Sequence, residues 1–149
     1  MANDENNDTG SIKLAPKILV SAIRCPDGTI LRSKHRHDLQ QHTQEDGRYY
    51  AVDGGTEYCR IIASDNDYTW IGVHADDPHE DIRKHFTWTS YYDADMNPIE
   101  PVEKPLESLT DSHITNIIKW VDNNRDIYPE HILKVFLDEQ SYRKSGGNL

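Results

Sequence analysis

The chain has 149 residues, with 16 Lys and Arg against 26 Asp and Glu and a formal net charge of −10. This length suits one domain, and the acidic excess argues against a protein that coats long nucleic acid, which needs a broad basic face. No apolar run approaches the ~20 residues of a membrane span, and the N-terminus lacks the basic flank and apolar run of a signal peptide. We expect a soluble, cytoplasmic protein with no membrane partner.

The two ends differ in composition from the rest of the chain. Residues 1–12 are predicted to be a disordered acidic tail, because Asn, Asp, Glu and Gly bury too little surface to offset the entropy of ordering. One α+β domain is expected over residues 13–143, followed by a frayed tail over 144–149. Cys25 and Cys59 are too few for a disulfide scaffold and lack zinc-ligand spacing, so free thiols are expected in preference to a disulfide.

The N-terminal half is predicted to form strands. Pro26-Asp27-Gly28 and Gly54-Gly55 have turn chemistry, whereas residues 38–47 are predicted to be a polar loop. β-Branched and alternating residues mark five strands, at 17–24, 29–37, 48–53, 56–63 and 68–74. Their consecutive order predicts an antiparallel meander with one face that needs cover.

Helices are predicted to pack on the apolar face of this sheet. Asp77 is the expected N-cap of a helix over residues 78–86, and Thr110 is the expected N-cap of a second helix. The apolar stripe of that second helix is Ile114, Ile117, Ile118 and Val121. Pro129 opens a third helix, and residues 89–105, with three prolines, are predicted to be an irregular crossing segment. Strands followed by helices predict an α+β fold with the helices on one face of the sheet.

Residues 30–58 hold the main concentration of chemically active side chains. Five basic residues precede Asp38, namely Arg32, Lys34, His35, Arg36 and His37. A positive cluster in an acidic chain indicates a site that receives an anion. If the run is a strand, alternation places the two histidines on one face and Lys34 and Arg36 on the other.

Two chemistries stay open for this run. His35 and His37, spaced two apart, suit one metal ion, and His42 or Asp38 would supply a third ligand. The chain has no other recognisable ligand spacing, so no metal site and no cofactor are predicted. Alternatively, His35, Arg36 and His37 donate hydrogen bonds to phosphate or ribose oxygens. A third interpretation is that all of them are exposed and paired with carboxylates.

Arg60 and a run of aromatic residues extend the candidate site. Arg60 lies in an apolar strand predicted to neighbour the strand of Arg36, so the two guanidinium groups would converge. Phe86 has helical spacing with a core position, whereas three surplus aromatics follow it, Trp88, Tyr91 and Tyr92. Aromatic side chains often stack on bases, so aromatics beside a basic cluster suit nucleotide recognition.

Three segments resemble a family of small phage and prophage proteins: Ala-Ile-Arg-Cys-Pro-Asp-Gly-Thr-Ile-Leu-Arg-Ser-Lys-His-Arg-His-Asp, Tyr-Ala-Val-Asp-Gly-Gly-Thr-Glu-Tyr-Cys-Arg and Asp-Asp-Pro-His-Glu-Asp-Ile-Arg-Lys-His-Phe-Thr-Trp. Across residues 17–142 the chain is similar to the first-described type of anti-Thoeris protein. The resemblance implies a phage-encoded sponge that binds a cyclic ADP-ribose isomer without cleaving it, and in some relatives also cyclic oligonucleotides. It also implies an N-terminal antiparallel sheet followed by helices.

By this resemblance, Phe86 stacks the adenine, Arg36 and Arg60 hold phosphates, and Asn97 is a further polar contact. The expected partner is a small anionic nucleotide-derived ligand in the host cytoplasm, with no catalytic residue, and the expected assembly is a homodimer or higher homo-oligomer. Two alternatives remain, a small metal- or His-dependent phosphoesterase and a protein–protein inhibitor of a host enzyme. The sequence has no Gly-x-Ser-x-Gly, Walker-type or His-Glu-x-x-His motif and marks no nucleophile.

Overall fold

Strand β1 (Ile18–Arg24) is the centre of the fold in the computed structural model, which describes residues 17–147. It pairs antiparallel with β2 (Ile30–Ser33), β6 (Thr69–Trp70) and β7 (Val73–His74). The turn between β1 and β2 is the predicted one, with Cys25 N donating to Thr29 O at 2.8 Å.

The predicted strand 68–74 is split into β6 and β7 because the chain passes very close to β1 at Gly72. A Cβ atom on Gly72 would lie 2.3 Å from the carbonyl oxygen of Val20. The absence of a side chain therefore allows this close approach, where regular pairing is interrupted.

A second antiparallel sheet contains β3 (Gln40–Thr43), β4 (Tyr49–Asp53) and β5 (Arg60–Ala63), in that order. The expectation of one five-stranded meander is therefore wrong, as is the loop predicted over residues 38–47. β3 was missed because it is a largely exposed edge strand. Its polar residues have no apolar alternation, and its formation depends on pairing with β4.

The predicted strand over residues 29–37 ends at Ser33. The carboxylate of Asp38 accepts a hydrogen bond from Lys34 N at 2.8 Å, and Ser33 Oγ donates to Asp38 O at 2.6 Å. These local bonds close residues 34–38 into a turn in place of a strand. The predicted facial separation of His35 and His37 from Lys34 and Arg36 is consequently wrong.

The predicted strand over residues 56–63 begins late, because α1 (Gly55–Tyr58) is a single helical turn. Gly54 and Gly55 have φ values of 87° and 54°, a backbone region that glycine adopts without the cost a side chain adds. The Gly-Gly pair therefore makes the expected reversal, but leads into a helical turn before β5.

Residues 89–105 form most of a β-hairpin and not an irregular crossing. β8 (Thr87–Tyr92) pairs with β9 (Pro98–Pro105), with Thr87 opposite Pro105 and Tyr92 opposite Pro98. The three prolines of β9 are compatible with pairing because this strand has β8 as its only strand neighbour within residues 17–147. Proline is tolerated on such an edge strand, where N–H groups are not all needed.

Three helices provide the α layer, α2 (His79–His85), α3 (Asp111–Asp122) and α4 (Glu130–Lys144), with a 3-10 turn at Leu106–Ser108. Thr110 caps α3 as predicted, accepting a hydrogen bond from His113 N at 3.2 Å. Asp77 does not cap α2, because its carboxylate accepts from His74 N at 2.9 Å and Pro78 directly precedes the helix.

Two apolar clusters form the core, and both include residues of β1. The larger joins β1 and β7 to the three helices: Leu19, Val20, Ala22, Val73, Ile82, Phe86, Leu106, Leu109, Ile114, Ile117, Val121, Leu133, Val135 and Phe136. The smaller fills the space between the two larger sheets: Ile23, Cys25, Leu31, Tyr50 and Val52. The α+β fold is therefore as predicted, although β1 is covered on both faces.

The predicted C-terminal tail is partly ordered. α4 includes Lys144, and Gly147 N donates to Tyr142 O at 2.9 Å. Residues 148–149 and the predicted N-terminal tail at 1–12 lie outside the described residues. No helix in residues 17–147 has the length and apolarity needed to cross a bilayer.

Candidate functional site

Ser33 fixes the 34–38 turn against α1. Its side chain is buried, and its Oγ donates to Asp38 O while accepting from Gly55 N at 2.8 Å. The approach is close, since a Cβ atom on Gly55 would lie 2.6 Å from the carbonyl carbon of His35. The basic turn and the Gly-Gly segment thus form one surface.

Arg36 lies on this turn, next to α1. Its Nη1 is 3.4 Å from Glu57 Oε1, and its guanidinium carbon is 5.9 Å from the centre of the Tyr58 ring. The Tyr58 hydroxyl donates to Arg36 O at 3.1 Å. Arg36 therefore has an aromatic ring and a carboxylate beside it, and its side chain remains 60% exposed.

Arg60 lies just after the same segment, at the start of β5. Its Nη2 is 3.3 Å from Asp53 Oδ2, while Asp53 Oδ1 accepts from Gly54 N at 2.9 Å. The Arg60 side chain is 62% exposed. Both arginines thus pair with carboxylates of residues 53–58, and we call Arg36, Tyr58 and Arg60 with this segment the arginine surface.

Arg32 and Lys34 contact a different element. Arg32 Nη1 lies 3.3 Å and Lys34 Nζ 3.0 Å from the carboxylate of Glu103 on β9, and Arg32 also donates to Thr87 Oγ1 at 2.8 Å. Hydrogen bonds from Thr87 and Lys34 lower the pKa of Glu103 below its usual value. These two cations therefore join β2 to the hairpin and are not part of the arginine surface.

The three histidines considered for a metal do not gather. His35 and His37 lie on the exposed 34–38 turn, whereas His42 Nε2 lies 2.7 Å from Asp27 Oδ2. Burial would raise the pKa of Asp38, but hydrogen bonds from Lys34 N and Gln40 outweigh it and lower that pKa. Within residues 17–147, no group of three or more His, Cys, Asp or Glu is placed to hold a metal ion.

Phe86 belongs to the core. It is 7% exposed, and its ring meets that of Phe136 edge-on with 5.8 Å between centroids. Trp88 packs on the same Phe136 ring at 5.4 Å and on Tyr128 at 5.9 Å. The structure therefore assigns Phe86 to packing and not to an exposed stacking surface, and neither ring belongs to the arginine surface.

Asn97 lies in the turn of the β8–β9 hairpin. Its backbone N–H donates to Asp93 Oδ1 at 2.9 Å, and its carbonyl accepts from Asp93 N at 2.9 Å. Tyr91 and Tyr92, at the end of β8, are both exposed. These residues lie on the hairpin, so they too are separate from the arginine surface.

Asp27, Thr29 and His42 come together beside an open cleft of ≈ 590 Å³. His42 Nε2 lies 2.7 Å from Asp27 Oδ2 and 3.2 Å from Thr29 Oγ1. A hydroxyl–imidazole–carboxylate relay uses both ring nitrogens, with the carboxylate on one and the hydroxyl on the other. Here one nitrogen faces both groups, so these residues do not form a catalytic triad.

A buried polar cluster was not anticipated. Glu139 of α4 is fully buried, and its carboxylate accepts hydrogen bonds from His79, Arg83 and Arg143 at 2.7–3.0 Å. Burial would raise the pKa of Glu139, and these bonds outweigh it, so the pKa lies below its usual value. The sequence spacing could have indicated this burial, because Glu139 follows Phe136 by three residues on the buried stripe of α4. The enclosed position favours a structural role.

The cysteines are both free thiols. Burial, followed by the charge of Asp27, raises the pKa of Cys25. Cys59 Sγ lies 3.0 Å from Ser21 Oγ. The raised pKa of the buried Cys25 thiol is the opposite of the lowered pKa that marks a reactive cysteine.

No protein-family model matches the chain, and neither a curated protein nor a solved structure matches it significantly.

Proposed function

We propose that the chain is a non-enzymatic phage anti-defence protein that sequesters a small phosphate-bearing signal, such as a cyclic ADP-ribose isomer, in the host cytoplasm. The observation that carries the proposal is the arginine surface. Arg36 pairs with Glu57 and Arg60 with Asp53, both carboxylates of residues 53–58, at 3.4 and 3.3 Å. The resemblance to anti-Thoeris sponges supplies the class of ligand.

The pairing carboxylates do not prevent such binding. Exposed ion pairs contribute only ~0–1 kcal/mol, so their loss costs little free energy. Two oxygens of one phosphate group can accept two parallel hydrogen bonds from a guanidinium, which is among the stronger charge-assisted contacts in proteins. Phosphate groups would therefore displace Glu57 and Asp53 from Arg36 and Arg60.

Tyr58 replaces Phe86 as the proposed stacking residue. Its ring is 50% exposed and lies beside the Arg36 guanidinium. A half-exposed ring next to a cation offers a base both stacking and electrostatic contact, at ~1–3 kcal/mol per stacked base. His35 and His37, on the adjoining turn, stay candidates for ligand hydrogen bonds.

Binding without cleavage is proposed because the resemblance to anti-Thoeris sponges implies a ligand that is held intact. Asp27, Thr29 and His42 resemble a catalytic triad in composition only. The Thr29 hydroxyl and the Asp27 carboxylate both face the same ring nitrogen of His42. A homodimer or higher homo-oligomer is the proposed assembly.

Calorimetric titration of the full chain with cyclic ADP-ribose isomers and cyclic dinucleotides tests the proposal. Arg36→Ala and Arg60→Ala should each abolish binding while leaving the thermal transition nearly unchanged. Arg125→Ala is the matched control, because Arg125 is 46% exposed and also pairs with carboxylates, Asp122 and Glu130. Equal loss in the control, or full binding by either test variant, would contradict the assignment.

Heat release followed by chromatography distinguishes sequestration from catalysis. The proposal expects the ligand to be recovered intact after denaturation of the complex. A converted product would establish the phosphoesterase alternative, and a complete lack of binding to all of these nucleotides would reject the function.

A further inference from the structure

Exposed apolar side chains concentrate on the outer half of the β8–β9 hairpin. Twelve large apolar residues are exposed in the part of the chain that the structure describes, and five of them lie in residues 91–102. They are Tyr91, Tyr92, Met96, Ile99 and Val102, at 58%, 54%, 68%, 38% and 41%. Such a concentration exceeds the single exposed apolar residues that are normal on a surface.

The inner half of the hairpin is packed and supports the outer half. Trp88 contacts Phe136 of the core, and Thr87 donates to Glu103, which pairs with Arg32. An isolated two-stranded hairpin is marginally stable in water, so this base supplies the order that the outer half needs. The outer half therefore projects from a fixed base.

The turn at the end of the hairpin, residues 93–97, is locked by hydrogen bonds. Asp93 Oδ1 accepts from Asp95 N and Asn97 N, both at 2.9 Å, and Met96 N donates to Asp93 O at 3.0 Å. Met96 has φ 63°, which lies in the left-handed region. A left-handed conformation is strained for such a residue, and strain of this kind clusters at binding and switch sites.

The edge of the hairpin formed by β9 is closed to the addition of another strand. β9 carries Pro98, Pro101 and Pro105, which have no N–H to donate, and charged residues lie between them. Prolines and charges are what natural proteins place on edges that must not pair with another strand. The exposed Tyr and Met side chains lie elsewhere, on the tip and the faces of the hairpin, and such side chains are typical of interface centres.

Charge indicates what kind of partner fits. Residues 91–102 contain three acids, Asp93, Asp95 and Glu100, and no Lys, Arg or His. Glu103, just beyond them, is already paired with Arg32 and Lys34. A second copy docked through the same face would bring like charges together, which costs free energy at an interface. A groove with an apolar floor and a rim of Lys and Arg would match both the apolar and the acidic groups.

We propose that the outer half of the β8–β9 hairpin, with Met96 at its tip, inserts into an apolar groove rimmed by Lys and Arg on another protein. The locked turn is already in the conformation that binding requires, so little conformational entropy is lost on docking. This site is separate from the arginine surface and does not depend on ligand binding there.

Site-specific photo-cross-linking with the full chain identifies the protein that binds the hairpin. p-Benzoylphenylalanine replaces Tyr92 in one version and Ile127 in the control version, because Ile127 is 64% exposed on the α3–α4 connection. The expected result is a covalent adduct with one other protein at position 92 and none at 127. An adduct only with a second copy of the chain, or no adduct at 92, overturns the proposal.

The captured protein is then purified and titrated with the unlabelled chain. Tyr92→Ser and Met96→Gly should weaken binding by about tenfold or more, whereas Ile127→Ser should not change it. Affinity should also fall as salt concentration rises, because the rim contacts are ionic. Equal binding by all variants, or affinity independent of salt, rejects the groove as described.

The Met96→Gly variant distinguishes an effect on partner binding from an effect on folding. Glycine adopts a positive φ without strain, so the variant should have a Tm equal to or above that of the native chain. Loss of binding with unchanged or increased Tm is the expected result. A lowered Tm that accounts for the whole loss of binding would assign Met96 to folding and overturn its proposed role.

Discussion

Glu139 accepts two hydrogen bonds from one guanidinium group, Nε and Nη2 of Arg83, at 3.0 and 2.9 Å. This pair joins α4 to α2, and Arg143, one turn further along α4, donates to the same carboxylate at 2.7 Å. His79 adds a fourth bond at 2.8 Å, with its other ring nitrogen buried and without a partner. The helix layer thus contains a charged group with no exposure to water, stabilised only by these bonds.

Glu139→Gln should lower the free energy of unfolding by about 3 kcal/mol, because the neutral amide removes the buried negative charge and its NH2 group cannot accept from the guanidinium groups of Arg83 and Arg143. Asp138→Asn is the control on the same helix, since Asp138 pairs with an exposed Lys134 and such pairs contribute ~0–1 kcal/mol. Urea denaturation followed by circular dichroism measures both. Equal losses would mean that the buried bonds contribute no more than a surface pair.

The same carboxylate makes stability depend on pH. The folded-state pKa of Glu139 lies below its usual value, so its contribution is present above about pH 4.3, the ordinary pKa of Glu. That contribution is lost as the pH falls through the folded-state value. The native chain should therefore lose stability on acidification more steeply than Glu139→Gln.

The pKa of Asp27 is about 2, because His42 and then Thr29 N hydrogen-bond to its carboxylate. His42→Ala should raise this pKa part of the way towards about 3.9, since the bond from Thr29 N remains. Carbon-13 NMR of the carboxyl group measures the titration midpoint directly. Gln40→Ala, on the same strand as His42, should leave the midpoint unchanged, and a rise in that control would contradict the assigned cause.

Gly55→Ala should destabilise the chain more than Gly28→Ala. Both residues have positive φ, 54° and 94°, so both substitutions add backbone strain of about 1 kcal/mol. A Cβ atom at position 55 would also lie 2.6 Å from the backbone of His35, whereas position 28 has nothing within 4 Å. Thermal denaturation compares the two variants, and equal shifts in Tm would mean that the 34–38 turn moves aside freely.

Substitutions at Phe86 and Tyr58 should distinguish a role in core packing from a role in ligand binding. Phe86→Ala should cost about 3–5 kcal/mol of unfolding free energy and leave ligand affinity of the folded protein unchanged. Tyr58→Ala should change stability by less than about 1 kcal/mol and weaken nucleotide binding, because its ring is half exposed beside Arg36. Calorimetry with a cyclic ADP-ribose isomer measures the second effect, and reversed outcomes would restore Phe86 as the stacking residue.

Local chemistry explains which parts of the fold the sequence predicts. Thr110 precedes an apolar stripe at helical spacing, and α3 begins as expected. Likewise, Pro26-Asp27-Gly28 forms its turn from its own backbone preferences. Such features depend on residues close in sequence, so one chain suffices to identify them.

Other elements depend on partners distant in sequence. β3 is polar and mostly exposed, and it is a strand because β4 pairs with it. The proline-rich β9 is a strand because β8 supplies its hydrogen-bonding neighbour. Conversely, Asp38 ends β2 through a bond to Lys34 N that no apolar pattern would indicate.

The placement of the candidate site residues also depends on contacts between residues distant in sequence. Arg36 and Arg60 are brought to one segment, but through the turn and α1 and not through neighbouring strands. Phe86 has the helical spacing of a core residue, and the structure assigns it that role.

β1 has consequences beyond its position, because residues on both of its faces belong to a core. Val20 and Ala22 pack with the helices, and Ile23, on the opposite face by strand alternation, packs with the second sheet. Neither core can lose its order without exposing a face of this strand to water. Both layers should therefore melt in a single cooperative step, with the β1 amide protons among the last to exchange with deuterium.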